Sequence, residues 1–170
     1  MARGPNGVQQ FESPSTPVTN PGKFPSTVSP SLPEGLASIR DDFLALDIPE
    51  RLQLLLEYSD NLPEVPEGTV EEGHWEKVAE CQSPVFISVL TTGDEVTVLA
   101  TAPPEAPTTR GFASILVHGL KGMTRQQILD TPPDFPLQLG LQNAVSMLRL
   151  RGMSGMLWRI KRQVESPPSL

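Results

Sequence analysis

The sequence predicts an α+β domain, a small antiparallel sheet packed against helices, and three observations point there. Apolar residues recur at helical spacing on both sides of one β-rich stretch. That stretch doubles back on itself within residues 84–100. No strand-helix-strand repeat appears that would call for a parallel sheet. The chain has 170 residues, 38% of them hydrophobic, enough for one core of modest size.

Of the 19 prolines, seven precede residue 34, mixed with Ser and Thr and few large apolar side chains. Residues 1–33 cannot bury enough surface to offset their ordering entropy, so a disordered Pro- and Ser-rich tail is expected there. The domain is expected over residues 34–165, with a short C-terminal tail at 166–170. Leu36, Ile39, Phe43 and Leu46 then recur as on one helix face. Asp47 with Glu50 three residues on is a capping-box pattern that opens a second helix, with Leu52, Leu55 and Leu56 expected as its buried stripe. Residues 61–73, with Pro63, Pro66 and Gly68 among several glutamates, predict a loop.

Residues 85–90 and 95–99 are β-rich runs joined through Thr91, Thr92, Gly93 and Asp94, and they predict an antiparallel hairpin. Val96 and Val98 alternate with Glu95, Thr97 and Leu99, so one face should lie on the core. Past a Pro-rich loop at 103–107, Thr109 is the expected cap of a helix that turns Phe112, Ile115, Leu116 and Leu120 inward. Thr124 and Gln127 repeat the capping box for a short helix that Pro132 and Pro133 end. Leu150, Met153, Leu157, Ile160 and Val164 mark a long last helix.

A formal charge of -7 and a pI near 4.8 argue against sequence-independent nucleic-acid binding, which needs a dense cationic surface. The basic run Arg149, Arg151, Arg159, Lys161 and Arg162 is expected to be a solvated helix face with cations near the helix C-terminus. No apolar run reaches the ~20 residues that cross a bilayer, and no signal-peptide pattern opens the chain, so a soluble, cytoplasmic protein without a membrane partner is expected.

Chemistry narrows to one thiol. A single cysteine, Cys81, forms no internal disulfide and cannot supply a Cys-rich zinc or iron-sulfur site. It lies between residues 76–79 and the first hairpin strand, on the connection that enters the sheet, with polar neighbours Glu80, Gln82 and Ser83. Buried filler and reactive thiol are both open on this ground. A cysteine hydrolase would need a histidine beside Cys81, and only His74, in a polar stretch, and His118, on a core-facing helix, are available. Met147, Met153 and Met156 suit core or docking surface, and Trp75 and Trp158 suit core or interface anchors.

The segment Glu80-Cys81-Gln82-Ser83-Pro84-Val85-Phe86 resembles the signature of the SufE family, in which a Cys-Gln-Ser triplet precedes a short strand. Leu139-Gly140-Leu141, followed by Arg149-Leu150-Arg151-Gly152-Met153 and Ile160-Lys161, is similar to the family's C-terminal segment, where an arginine and a glycine open the last helix. With the order of the helices the resemblance spans residues 34–165. Two positions depart from it: Glu80 stands where glycine is common, and Met147 where proline is usual. A carboxylate at residue 80 would disfavour a thiolate on its neighbour.

The resemblance implies the α+β fold that SufE shares with IscU-type scaffolds, and a sulfur acceptor and activator rather than an independent enzyme. Its partner would be a SufS-type cysteine desulfurase that uses pyridoxal phosphate, and its recipient a downstream iron-sulfur scaffold; the chain itself would bind no cofactor and no metal. Cys81 would form the persulfide, by attack of its thiolate on sulfur. Arg149, matching the family's arginine, is a candidate for stabilising an anion near the site, although it also suits a plain arginine at a helix end. Shielding a persulfide from stray reductants would require a resting Cys81 tucked against apolar side chains on a mobile loop. A redox-sensing or protein-binding module, its cysteine carrying no sulfur, is the alternative of a different class.

Overall fold

A computed structural model describes residues 32–166. Most of the expected N-terminal tail, residues 1–31, and the last four residues of the chain lie outside the described residues. Helices α1 (Glu34–Leu44) and α2 (Ile48–Asp60) lead through a loop to a sheet of β1 (Glu76–Lys77), β2 (Phe86–Thr92) and β3 (Glu95–Thr101). Helices α3 (Pro107–Gly119), α4 (Arg125–Leu129), α5 (Phe135–Gln138) and α6 (Met147–Glu165) follow. The strand order is β1-β2-β3, antiparallel throughout, so the expected α+β class is what the chain adopts.

The two capping boxes form as expected. The Asp47 side chain accepts from Glu50 N at 3.0 Å while Glu50 accepts from Asp47 N at 3.1 Å. Thr124 and Gln127 exchange the same pair of bonds at the start of α4. In the hairpin, Gly93 takes φ +63° at the first of two central turn positions, where a side chain would be strained, as tight turns between twisted strands require. Val96 and Val98 are buried, and Val89 pairs with Val98 on the same face.

Helices α3 and α6 pack against the sheet, α1 and α2 against α3, and α4 and α5 against α6. One continuous core results, in which Phe43, Phe112 and Phe135 are the largest fully buried side chains.

Four expectations need correction. Helix α3 is not capped by Thr109: Ala106 is the N-cap, without a side-chain cap bond, and Pro107 is the first helical residue. Proline's fixed φ suits that position, where its missing N–H has no helical partner to lose, so the helix starts three residues early. In α2 only Leu55 of the stripe is fully buried, and Leu52 and Leu56 are half-buried, because α2 packs mainly on the single helix α3. Of the two places expected for Trp158, core or interface anchor, the first is removed: it is 57% exposed, with the Arg159 and Arg162 guanidinium groups over its ring. The basic run is not a uniformly solvated face, since Arg159 is buried between two glutamates.

Candidate functional site around Cys81

Cys81 sits on the connection between β1 and β2, where the chain turns out of the short edge strand and back into the long central one. The turn is pinned at its base: Val78 N donates to Val85 O at 2.9 Å, and Cys81 N donates to Val78 O at 3.2 Å. These bonds leave residues 79–84 as a small excursion at the sheet's rim, with Glu80, Gln82 and Pro84 exposed. The Cys81 side chain turns inward and is half-buried against the core.

Its support is the first half of α6. A Cβ placed on Gly152 would lie 2.9 Å from the Cys81 sulfur, and one on Gly155 would lie 2.8 Å from the Glu80 carboxyl carbon and Oε2. Each distance is shorter than a side chain tolerates, so these two glycines, one turn apart, make a shelf that admits the loop. Below the shelf lies Arg159, 7% exposed. Its Nη1 donates to Glu80 Oε2 at 2.7 Å and to Gly155 O at 3.1 Å, its Nε donates to Lys77 O at 3.1 Å, and Glu76 Oε1 lies 3.4 Å from Nε. Glu76 also pairs with Arg162. Such a short charge-assisted bond to a largely desolvated guanidinium is stronger than a surface ion pair, although the Glu80 end remains partly in water.

Cys81 opens on a cavity of about 180 Å3. Residues 80–83 form one wall; the other is built by Glu105 and the start of α3, and by Leu148, Arg149 and Gly152 of α6. Cys81 and Arg149, far apart in the chain, therefore line the same space. Arg149 N, near the start of α6, donates to the capping Ser146 Oγ at 3.4 Å, and its Nη1 donates to Thr108 Oγ1 of α3 at 3.3 Å. The guanidinium thus bridges the two helix starts beside the thiol. His74 and His118 do not line this cavity; His118 Nε2 instead lies 3.0 Å from Asn61 O, near Tyr58. Met153 and Met156 are core residues, whereas Met147 and Leu148, at the start of α6, are about half exposed.

The thiol is held in its protonated form. Burial pushes the Cys81 pKa up, the Glu80 carboxylate pushes it further, and the Arg159 guanidinium pulls it part of the way back, leaving it at about 11. At pH 7 only ~1 molecule in 10⁴ would carry the thiolate on that basis. The expected effect of the Glu80 charge is thus present, with burial as the larger cause.

Sequence reasoning singled out Cys81 and Arg149 but missed the Gly152 and Gly155 shelf and the partnership of Glu80 with Arg159. A signal was available: two glycines three residues apart inside a long helix cost ~1 kcal/mol each in helix propensity, which calls for a close approach as compensation. Arg159 follows Gly155 by one helical turn, on the same face.

Among the described residues no helix is long and apolar enough to cross a membrane, and no group of three or more His, Cys, Asp or Glu residues could hold a metal ion.

Comparison with known proteins agrees with this fold. Residues 37–164 match the family model described as SufE, Fe-S metabolism associated domain. A SufE-like protein of Mycobacterium tuberculosis, itself uncharacterised, is 47% identical over 139 residues, covering 81% of this chain and 96% of the relative. SufE-like protein 1 of Arabidopsis thaliana, chloroplastic/mitochondrial, is 32% identical over 127 residues, 74% of this chain and 33% of that longer protein. The solution structure of a hypothetical protein from Thermus thermophilus superposes with a TM-score of 0.71 at 37% identity, covering 79% of this chain and 96% of the other.

Proposed function

Because the chain belongs to the SufE family of Fe-S metabolism associated domains, we propose that it accepts sulfur from a pyridoxal-phosphate-dependent cysteine desulfurase on Cys81 and activates that enzyme. The observation that carries this reading is the position of the chain's one thiol: half-buried on a rim loop, opening on a cavity that also holds a guanidinium.

The step is exchange on sulfur. The Cys81 thiolate attacks the outer sulfur of the desulfurase persulfide, a new S–S bond forms to Cys81 Sγ, and the donor's S–S bond breaks. The donor's inner sulfur leaves as a thiolate and takes a proton, so one sulfane sulfur moves with no net oxidation. The persulfide on Cys81 then passes its outer sulfur to an acceptor of the iron-sulfur assembly class by the same exchange. The chain needs no cofactor of its own for either step.

A thiol with its pKa pushed up to about 11 suits a carrier that stays inert until a partner engages it. It does not suit a redox sensor, whose cysteine is exposed and acidic enough to react with oxidants unaided. Incubation with a cognate desulfurase and free cysteine should add the mass of one sulfur, removable by reductant. An unchanged mass with an active cognate desulfurase would reject the carrier role and leave a binding module.

Arg149 fits a supporting part. Its cation flanks the cavity in which a thiolate or persulfide anion would form. Since Arg149 is exposed, solvent and salt screen that charge, and Arg149→Ala is expected to slow sulfur uptake by only about threefold, less at high ionic strength. Single-turnover uptake at two salt concentrations measures it; an unchanged rate at low salt removes the role.

A further inference from the structure

We infer that Glu80 is a positioning residue: clasped by Arg159 across the Gly152 and Gly155 shelf, its carboxylate holds the Cys81 loop against α6 and keeps the thiol at rest. The inference rests on the reading of Cys81 as the reactive thiol and adds what restrains it.

Three observations converge on the clasp. The Glu80 carboxylate meets a guanidinium that is itself 7% exposed and fixed by backbone carbonyls of β1 and α6, so the anchor cannot follow the loop if the loop leaves. The carboxylate occupies space that any side chain at residue 155 would fill, and the Cys81 sulfur does the same at residue 152. The two contacts belong to consecutive loop residues, so lifting the loop backbone off α6 breaks both together. Outside this one ion pair and the bond from Cys81 N to Val78 O, residues 79–83 make no hydrogen bond to other elements among the described residues. The pair is therefore the main polar tie between the loop and α6.

The charged groups facing the thiol are Glu80 on its own loop, Arg149 and Arg159 from α6, and Glu105 from the segment before α3, with Glu76 and Arg162 behind Arg159. Removing the Glu80 charge leaves Arg149 and Glu105 on the cavity wall and Arg159 beneath the shelf, still facing Glu76. The sign follows: a thiol held protonated by burial and a neighbouring anion becomes more acidic when the anion is gone and the loop is free.

Alkylation of the free, full-length protein by iodoacetamide across pH 7–10, followed by intact mass, tests the clasp without any desulfurase. Glu80→Ala is expected to raise the rate at pH 8 about tenfold, with the pH profile displaced downward by about one unit. Gly155→Ala leaves every charge in place but puts a methyl group where the carboxylate rests, and it is expected to accelerate alkylation as well. Glu80→Gln keeps an acceptor for Arg159 and should stay closer to the wild-type rate than Glu80→Ala. Wild-type rates in Glu80→Ala overturn the clasp. So does equal acceleration in Glu80→Gln and Glu80→Ala, which would make charge alone the cause and remains decisive if Gly155→Ala does not fold. The two readings fail separately: fast alkylation of Glu80→Ala in a protein that takes up no sulfur leaves the clasp and removes the carrier, and the reverse pattern does the opposite.

Discussion

Cys81→Ala is expected to abolish sulfur uptake completely while leaving the domain folded and the desulfurase bound. The effect is all or none because the chain contains no second cysteine to which the sulfur could move. A hydroxyl or amine elsewhere does not substitute, since persulfide exchange requires a thiolate as attacking group and leaving group. The structural cost is small. The side chain is only half-buried, and losing one sulfur from such a position costs about 1 kcal/mol or less, far below what unfolds a domain of this size. Intact mass after incubation with desulfurase and cysteine reads the chemistry, and co-elution with the desulfurase reads the docking. Uptake lost with binding retained is the signature of a carrier. Loss of both would make Cys81 a contact residue and remove the support for transfer, and sulfur gained by the variant would place the chemistry outside thiol exchange altogether.

What the sequence made legible divides along the range of the interactions involved. Asp47 with Glu50 and Thr124 with Gln127 are complete within one turn of helix, so their spacing alone announces them and the structure forms both. The hairpin is equally local, because alternation in residues 95–99 and a Gly-Asp turn specify pairing between neighbours. β1 is two residues long and exists only through pairing with β2, so no periodicity could show it. α5, just past Pro132 and Pro133, has four residues, too few to show a helical period. The Thr109 side chain suits a cap, but Pro107 takes the first helical position and moves the cap three residues earlier, to Ala106.

At the site, the thiol and Arg149 could be singled out as residue types at recognisable positions, yet the environment that governs the thiol could not. Arg159 meets Glu80 across 79 residues, and its burial depends on β1 and α6 arriving at the same place. Read as one member of a basic run, it looks solvated. Packed beneath the Cys81 loop, it becomes the cation that offsets a carboxylate and moderates a thiol. The two glycines above it have the same double character, costly to the helix alone and required once the loop lies on it.

Phe112→Ala should give the largest loss of stability, about 3–5 kcal/mol, because it empties the centre of the core. Its residue is 1% exposed on α3, the helix that packs against α1, α2, α6 and β3 and so joins the N-terminal pair to the rest of the domain. The site cannot collapse easily around the gap. At the preceding residue, Gly111, a Cβ would already stand 2.5 Å from the Leu55 carbonyl oxygen, so α2 and α3 are at their closest approach and can move no further together to fill it. For the 135 described residues the loss corresponds to a fall in Tm of roughly 10–20 °C in calorimetry. The same helix begins at the wall of the Cys81 cavity, so loosening α3 should also speed alkylation of the thiol at temperatures well below the transition. A fall of less than about 3 °C would mean that neighbouring side chains repack around the truncated ring. A full loss of stability with unchanged alkylation would mean that the cavity wall is held by Arg149 and Thr108 rather than by the seating of α3 in the core.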